Sequence, residues 1–213
     1  MARKNYIFTS ESVSEGHPDK VCDRISDEIV DLFYREALDQ GMDAAQVRVA
    51  CETFATTNRV VIGGETRGPS SVTHAKIEEA ARRAIKAIGY EQNGFHWQTA
   101  KVEILLHEQS ADIAQGVDSH SQKDEGAGDQ GIMFGYACDE TPGLMPAPLY
   151  YAQRILQLLA EARHSGEAKV LGLIPRARSL CNIKMASQLP PRILWFRTSI
   201  LMRALRRLTC SSW

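Results

Sequence analysis

The sequence has no long apolar run. No stretch of its 213 residues approaches the roughly 20 consecutive apolar residues that a membrane-spanning helix needs. Near the start, Arg3 and Lys4 precede only three apolar residues before Thr9 interrupts them, which is not the pattern of a secretory signal. We therefore expect a cytoplasmic protein without a membrane partner.

Glycine, proline and closely spaced cysteines are also scarce. With 15 Gly and 8 Pro beside 44% apolar and 24% charged residues, the composition excludes collagen-like and wholly disordered chains. The five cysteines form no CxxC pair, which favours free buried thiols over a zinc site or a disulfide framework. A net charge of −1 gives no reason to expect a nucleic-acid partner.

Acidic residues are absent after Glu167. Residues 1–167 contain 26 acidic and 16 basic residues, whereas residues 168–213 contain 9 basic and no acidic ones. This asymmetry needs its own explanation. One explanation is a basic amphipathic segment that binds a membrane or a nucleic acid, with Leu201 and Leu205 opposite the arginines. The other is a frame-shifted or otherwise altered reading of the gene that ends at a chance stop.

Three segments have the apolar period of an amphipathic helix. They run from Pro18 to about Gln40, from about His74 to Ile88, and from about Pro148 to Ala162. In the third segment we expect the buried stripe to include Tyr151 and Leu158. Proline in a first turn and glycine after a last turn are typical helix boundaries.

Three strands are predicted between and after the first two helices. Alternating residues predict a strand over Val47–Glu52, and Val60–Ile62 predicts its hairpin partner before Gly63. A third strand is expected over Ala100–Leu106. The order helix, strand, strand, helix, strand predicts an α+β fold, built from two-layer sandwich modules with helices on one face of a mostly antiparallel sheet.

A histidine and a carboxylate stand at the start of the first predicted helix, in Ser14–Lys20 (SEGHPDK). The backbone N–H groups and the positive dipole end of a helix attract phosphate oxygens. Asp19 suits a Mg²⁺ ion shared with phosphates, and His17 suits a hydrogen bond to a departing phosphate chain. The alternative is that His17 or Gly16 only caps the helix and that Asp19 only complements its dipole.

The other candidate residues are ambiguous one by one. Gly126–Gly131 (GAGDQG) lets the backbone approach a ligand closely, although it also suits a plain turn. The chain has neither GxxxxGK[ST] nor a GxGxxG after a strand, so the usual nucleotide motifs are missing. Glu52 and Glu65, taken alone, are typical exposed strand carboxylates.

Taken together in order, these residues resemble the S-adenosylmethionine synthetase (methionine adenosyltransferase) family. The resemblance spans about residues 5–172. Its main motifs are Phe8–Lys20 (FTSESVSEGHPDK), Ala50–Thr53 (ACET), Gly63–Glu65 (GGE) and Gly126–Gly131, with Gln109–Ser110, Phe134–Tyr136 and Leu144–Pro148 in addition.

The resemblance implies the reaction and its participants. In that family the sulfur of L-methionine displaces the triphosphate from C5′ of ATP, and the triphosphate is then hydrolysed to pyrophosphate and phosphate, assisted by Mg²⁺ and K⁺. It implies that His17 is catalytic and contacts the ATP phosphates, that Asp19 binds Mg²⁺ and that Glu52 binds K⁺. The methionine site would include Glu65, Gln109 and Asp129. Homodimers or homotetramers are implied for the full-length family.

The resemblance also divides the chain. We expect an N-terminal module over residues 5–108, a flexible gating loop over 109–125, the beginning of a truncated central module over 126–172, and a basic tail outside the family over 173–213. After Gly172 the family continues with a segment of the type Asp-Ala-Lys-Ser-Gln-Val that supplies an ATP-binding lysine, and this chain does not. The alternative to an enzyme is therefore a catalytically inactive fragment that acts at most as a binding or subunit-interaction module.

Overall fold

The structure is a computed structural model that describes residues 7–109, 131–167, 179–184 and 195–196. It divides into two compact units, one of Pro18–Phe134 and one of Met1–His17 with Gly135–Trp213. The elements in chain order are β1 (Ile7–Ser10), α1 (Pro18–Asp39), a 3₁₀ turn (Ala44–Gln46), β2 (Arg48–Thr56), β3 (Arg59–Arg67), α2 (His74–Ile88), β4 (Glu91–Gln92), β5 (Phe95–His96), β6 (Lys101–Glu108), α3 (Ala147–His164), β7 (Ser179–Lys184) and β8 (Trp195–Phe196). The predicted α+β class is confirmed.

The two helices of the Pro18–Phe134 unit form where the apolar period predicts them. At the start of α2 the Thr73 side chain accepts a hydrogen bond from the Lys76 N–H, and at its end Gly89 takes the left-handed conformation with φ 99°. The core between helices and sheet is aliphatic. Its fully buried side chains include Val21, Ile25, Ile29, Val47, Val60, Ile62 and Ile85.

The sheet of this unit has the order β2-β3-β6. Strands β2 and β3 form the predicted antiparallel hairpin, whose turn contains Asn58 at φ 48°. Strand β6 pairs with β3 in parallel, because α2 carries the chain from the end of β3 back to the starting edge of the sheet. Among the strands that the structure describes, four pairings are antiparallel and this one is parallel.

One face of the β2-β3-β6 sheet packs against the helices and the other is open. Ser26 of α1 and Thr53 of β2 share a hydrogen bond of 2.8 Å between their hydroxyls, so odd-numbered residues of β2 face α1. Phe54 points the other way and is 63% exposed, and Leu105 on β6 is 62% exposed. We call this exposed side the open sheet face.

The second unit contains β1, α3, β7 and β8. Strand β1 pairs antiparallel with β7, from Ile7 opposite Lys184 to Ser10 opposite Cys181. The predicted third helix is confirmed as α3, but the predicted stripe of Tyr151 and Leu158 is wrong. The buried residues of α3 are Pro148, Ala152 and Leu156. Apolar side chains occur on several faces of this helix, so its period does not select one. No helix in the described ranges is both long and apolar enough to cross a membrane.

Gly64 occupies a position in β3 that no other residue suits. Its φ is +130°, and a Cβ there would lie 2.0 Å from the Ala50 carbonyl oxygen. We expect Gly64→Ala to lower the free energy of unfolding by about 2 to 4 kcal/mol, measured by urea denaturation. The control is Gly63→Ala, whose Cβ would meet only Leu105 Cβ at 4.0 Å. Equal losses for the two variants would contradict the assignment.

Helices α1 and α2 are also joined by a charged contact. Lys76 Nζ donates to Glu36 Oε1 over 2.5 Å, and Ser71 Oγ donates to Glu36 Oε2 over 2.7 Å. These hydrogen bonds, that from Lys76 first, hold the pKa of the Glu36 carboxyl below its ordinary value. A carboxyl with a lowered folded pKa stabilises the fold at neutral pH, and this contribution is lost as the pH falls through that pKa.

The contact predicts a specific dependence on pH. The difference in unfolding free energy between wild type and Lys76→Met should be constant above about pH 5 and shrink on further acidification, as followed by urea denaturation at several pH values. In a Glu36→Gln background, Lys76→Met should show no such dependence. A wild-type difference that stays unchanged down to about pH 3 would refute the role of Glu36.

Candidate active site

The first part of the site is a tight turn that leads into α1. The His17 N–H donates to the Ser14 carbonyl oxygen over 3.0 Å, and Gly16 is buried inside the turn. His17 is half-buried, whereas Asp19 lies exposed in the first turn of α1. The first N–H groups of a helix have no carbonyl partner within it, so Asp19 stands where anions and the cations that accompany them are favoured.

The second part lies on the open sheet face. Glu52 of β2 is opposite Gly63, and Glu65 of β3 is opposite Ala50. Because successive side chains of a strand alternate between faces, both carboxylates project from the face opposite α1. The hairpin register thus brings together the residues predicted for K⁺ and for methionine.

A histidine that sequence reasoning missed joins this carboxylate pair. His107 of β6 is opposite Glu65 in the parallel register, and its Nε2 lies 3.4 Å from Glu65 Oε1. No motif marks His107. Its contact with Glu65 depends on the pairing of two strands separated by all of α2, which local sequence patterns do not reveal.

Gln109 follows the end of β6 and lines a different space. Its N–H donates to the Thr66 carbonyl oxygen over 3.0 Å, and its side-chain Oε1 is buried without a hydrogen-bond partner. It borders a cleft of about 550 Å³ whose apolar wall includes Phe33 and Ile77. Of the predicted methionine residues, Asp129 lies outside the described residues, as does the predicted gating loop apart from Gln109.

The carboxylates suit metal ions that are shared with a substrate. In the described ranges, no group of three or more His, Cys, Asp and Glu side chains forms a cage for a metal ion. A Mg²⁺ ion commonly takes one or two protein carboxylates and completes its shell with substrate phosphates and water. The exposed Asp19 fits that donor set, and the exposed Glu52 can offer oxygen to a monovalent cation.

The cysteines beside the site are not activated nucleophiles. Burial is the main cause that raises the pKa of the Cys51 thiol, and it likewise raises the pKa of the Cys22 thiol. Both thiols are therefore protonated at neutral pH, whereas thiol nucleophiles need a lowered pKa. The described cysteines Cys22, Cys51 and Cys138 are free.

Sequence reasoning also missed two cations near the turn. Arg163 and His164, at the end of α3, both contact the carboxylate of Glu15. The partners are 148 and 149 residues apart in the chain, so no local pattern links them. Within the motif that carries His17, the resemblance assigned no role to Glu15.

Comparison with known proteins identifies two family models in this chain. The N-terminal domain of S-adenosylmethionine synthetase matches residues 5–111, and its central domain matches residues 124–194. The second match continues past Gly172, where we expected the resemblance to end. It therefore includes β7, which lies in the region predicted to be a non-family tail.

Three curated relatives are similar in sequence. The S-adenosylmethionine synthase of Bradyrhizobium sp. (strain ORS 278) is 67% identical over 193 residues, which are 89% of this chain and 48% of the relative. That of Nitrobacter hamburgensis is 65% identical over 88% of this chain and 48% of the relative. The synthase of Parvibaculum lavamentivorans is 68% identical over 78% of this chain and 41% of the relative. The chain spans about half the length of the curated relatives it matches.

Proposed function

Because this chain belongs to the S-adenosylmethionine synthetase family, we propose that it supplies the amino-terminal part of a site that forms S-adenosylmethionine. The substrates are ATP and L-methionine, and the products besides S-adenosylmethionine are phosphate and pyrophosphate. The observation that carries the proposal is the N-terminal family match, whose residues 5–111 contain every proposed site residue except Asp129.

The chemistry explains why the site needs charge and alignment. A thioether sulfur is a neutral and weak nucleophile, so the site must hold it in line with C5′ of ATP. The leaving triphosphate is highly charged and must be stabilised as the C5′–O bond breaks. Bound Mg²⁺ and K⁺ supply positive charge toward that leaving group.

The residues of this chain divide these tasks. His17 donates a hydrogen bond to the phosphate chain at the breaking bond, and Asp19 orients the phosphates by sharing Mg²⁺ with them. Glu52 holds K⁺ on the open sheet face. Beside it, Glu65 receives the ammonium group of methionine, and Gln109 and Asp129 complete that part of the site. The exposure of Asp19 and Glu52 supports roles toward groups from outside the chain.

A second candidate function is non-catalytic binding. The observation that favours it is the segment after Gly172, where Leu173–Leu180 stands in place of the family segment that supplies an ATP-binding lysine. In that case the chain binds phosphates or a second copy of a synthase subunit without turnover. The exposed Phe54 and Leu105 on the open sheet face suit such a subunit contact.

A chimeric protein distinguishes the two functions. Residues 1–167 of this chain are joined to the remainder of the Bradyrhizobium synthase, to which the chain is 67% identical. We expect this chimera to form S-adenosylmethionine from ATP and L-methionine with Mg²⁺ and K⁺, detected by chromatography of the product. A folded chimera without product would contradict the catalytic proposal and leave the binding function as the account.

A further inference from the structure

The carboxylate of Glu15 receives cations from the far end of the chain. Arg163 Nε donates to Glu15 Oε1 over 3.1 Å, and Arg163 Nη2 donates to the same oxygen. His164 Nε2 lies 3.0 Å from Glu15 Oε2, and a proton on that nitrogen makes a hydrogen bond there. Both oxygens of the carboxylate are thus engaged by consecutive residues of α3.

This contact is more than an ordinary surface ion pair. The Arg163 side chain is only 18% exposed and that of Glu15 30%. Exposed ion pairs contribute little, whereas partly buried hydrogen bonds between charged groups are stronger and have a fixed geometry. All three residues lie in the same compact unit.

The anchored residue belongs to the turn that presents His17. Glu15 and Gly16 are the two central residues between the Ser14 carbonyl and the His17 N–H, which close the turn over 3.0 Å. A short turn with a buried glycine has few side-chain contacts of its own to hold it. The clamp on Glu15 therefore restricts the residue that stands two positions before His17.

We propose that Arg163, supported by His164, is a positioning residue that fixes the Ser14–His17 turn through Glu15 and so holds His17 ready to meet a phosphate chain. The proposal rests on the proposed function for the identity of the ligand. The restriction of the turn itself is a property of the chain without any ligand. Arg163 acts through Glu15 and not on the reacting atoms.

The test measures hydrogen exchange of the His17 amide in the full chain, free of ligand. We expect Arg163→Gln and Glu15→Gln each to speed this exchange about 5- to 30-fold, and Arg163→Lys to restore part of the protection. The amide of Ile29, in the core of α1, should be unaffected. The matched control is Arg154→Gln, which removes the exposed pair of Arg154 with Glu161 at 3.7 Å on the same helix.

The outcomes decide the proposal and the function separately. If Arg163→Gln and Glu15→Gln change His17 exchange no more than Arg154→Gln does, the positioning role is wrong. If Arg163→Gln disrupts α3 by circular dichroism, Glu15→Gln decides, because it leaves the helix sequence intact. Inorganic triphosphate with Mg²⁺ should bind the wild-type chain, and Arg163→Gln should weaken binding by a similar factor. A wild-type chain that does not bind triphosphate contradicts the phosphate role of His17, whereas the exchange comparison still decides the positioning.

Discussion

The chain as it stands should form no S-adenosylmethionine above background when supplied with ATP, L-methionine, Mg²⁺ and K⁺. It lacks the family segment after Gly172 that supplies an ATP-binding lysine, and it spans 48% of the Bradyrhizobium synthase. Each charge-assisted contact with the triphosphate contributes about 1.5 to 3 kcal/mol. Loss of three such contacts would slow the reaction by about 10³- to 10⁶-fold.

The chimera with the Bradyrhizobium synthase is the control for this expectation. It contains residues 1–167 of this chain unchanged, so product from the chimera together with none from the chain assigns the defect to residues 168–213. Dose-dependent product from the chain alone, lost in Asp19→Asn, would show that residues 168–213 replace the missing contacts. The prediction of a meaningless tail would then be wrong.

In the chimera, Asp19→Asn should lower turnover at least about 100-fold, because it removes a carboxylate that shares Mg²⁺ with the leaving triphosphate. An amide keeps the size of the side chain but loses the negative charge that attracts the ion. The measurement is the initial rate of S-adenosylmethionine formation over a range of Mg²⁺ concentrations.

The matched control for Asp19 lies on the same helix. Asp23 is an exposed aspartate one turn further along α1, and we expect Asp23→Asn to leave turnover within about twofold. Near-wild-type turnover of Asp19→Asn at saturating Mg²⁺ would remove Asp19 from the metal site.

Local signals predicted the helices well and the strand ends poorly. Helix α2 forms over the predicted His74–Ile88 because Thr73 and Gly89 mark its ends. Strand β3 was expected to stop before Gly63, yet it continues to Arg67. A glycine carries no side chain to continue an alternating pattern, whereas the backbone pairing with β2 runs on through Gly64.

The candidate site was predictable residue by residue but not as an arrangement. His17 and Asp19 are close in sequence, so their place at the start of α1 follows from the helix boundary. The common face of Glu52 and Glu65 depends on the hairpin register. The contacts that the sequence did not reveal, those of His107 and of Arg163, join elements distant in the chain.

The most direct measurement of the central claim, that this half of the site acts on the bond to C5′ of ATP, is the partition of rates in the chimera with His17→Asn. Only formation of S-adenosylmethionine breaks the C5′–O bond, whereas hydrolysis of added triphosphate does not. We predict that His17→Asn slows formation at least about tenfold more than hydrolysis. Equal slowing of the two reactions would contradict the account.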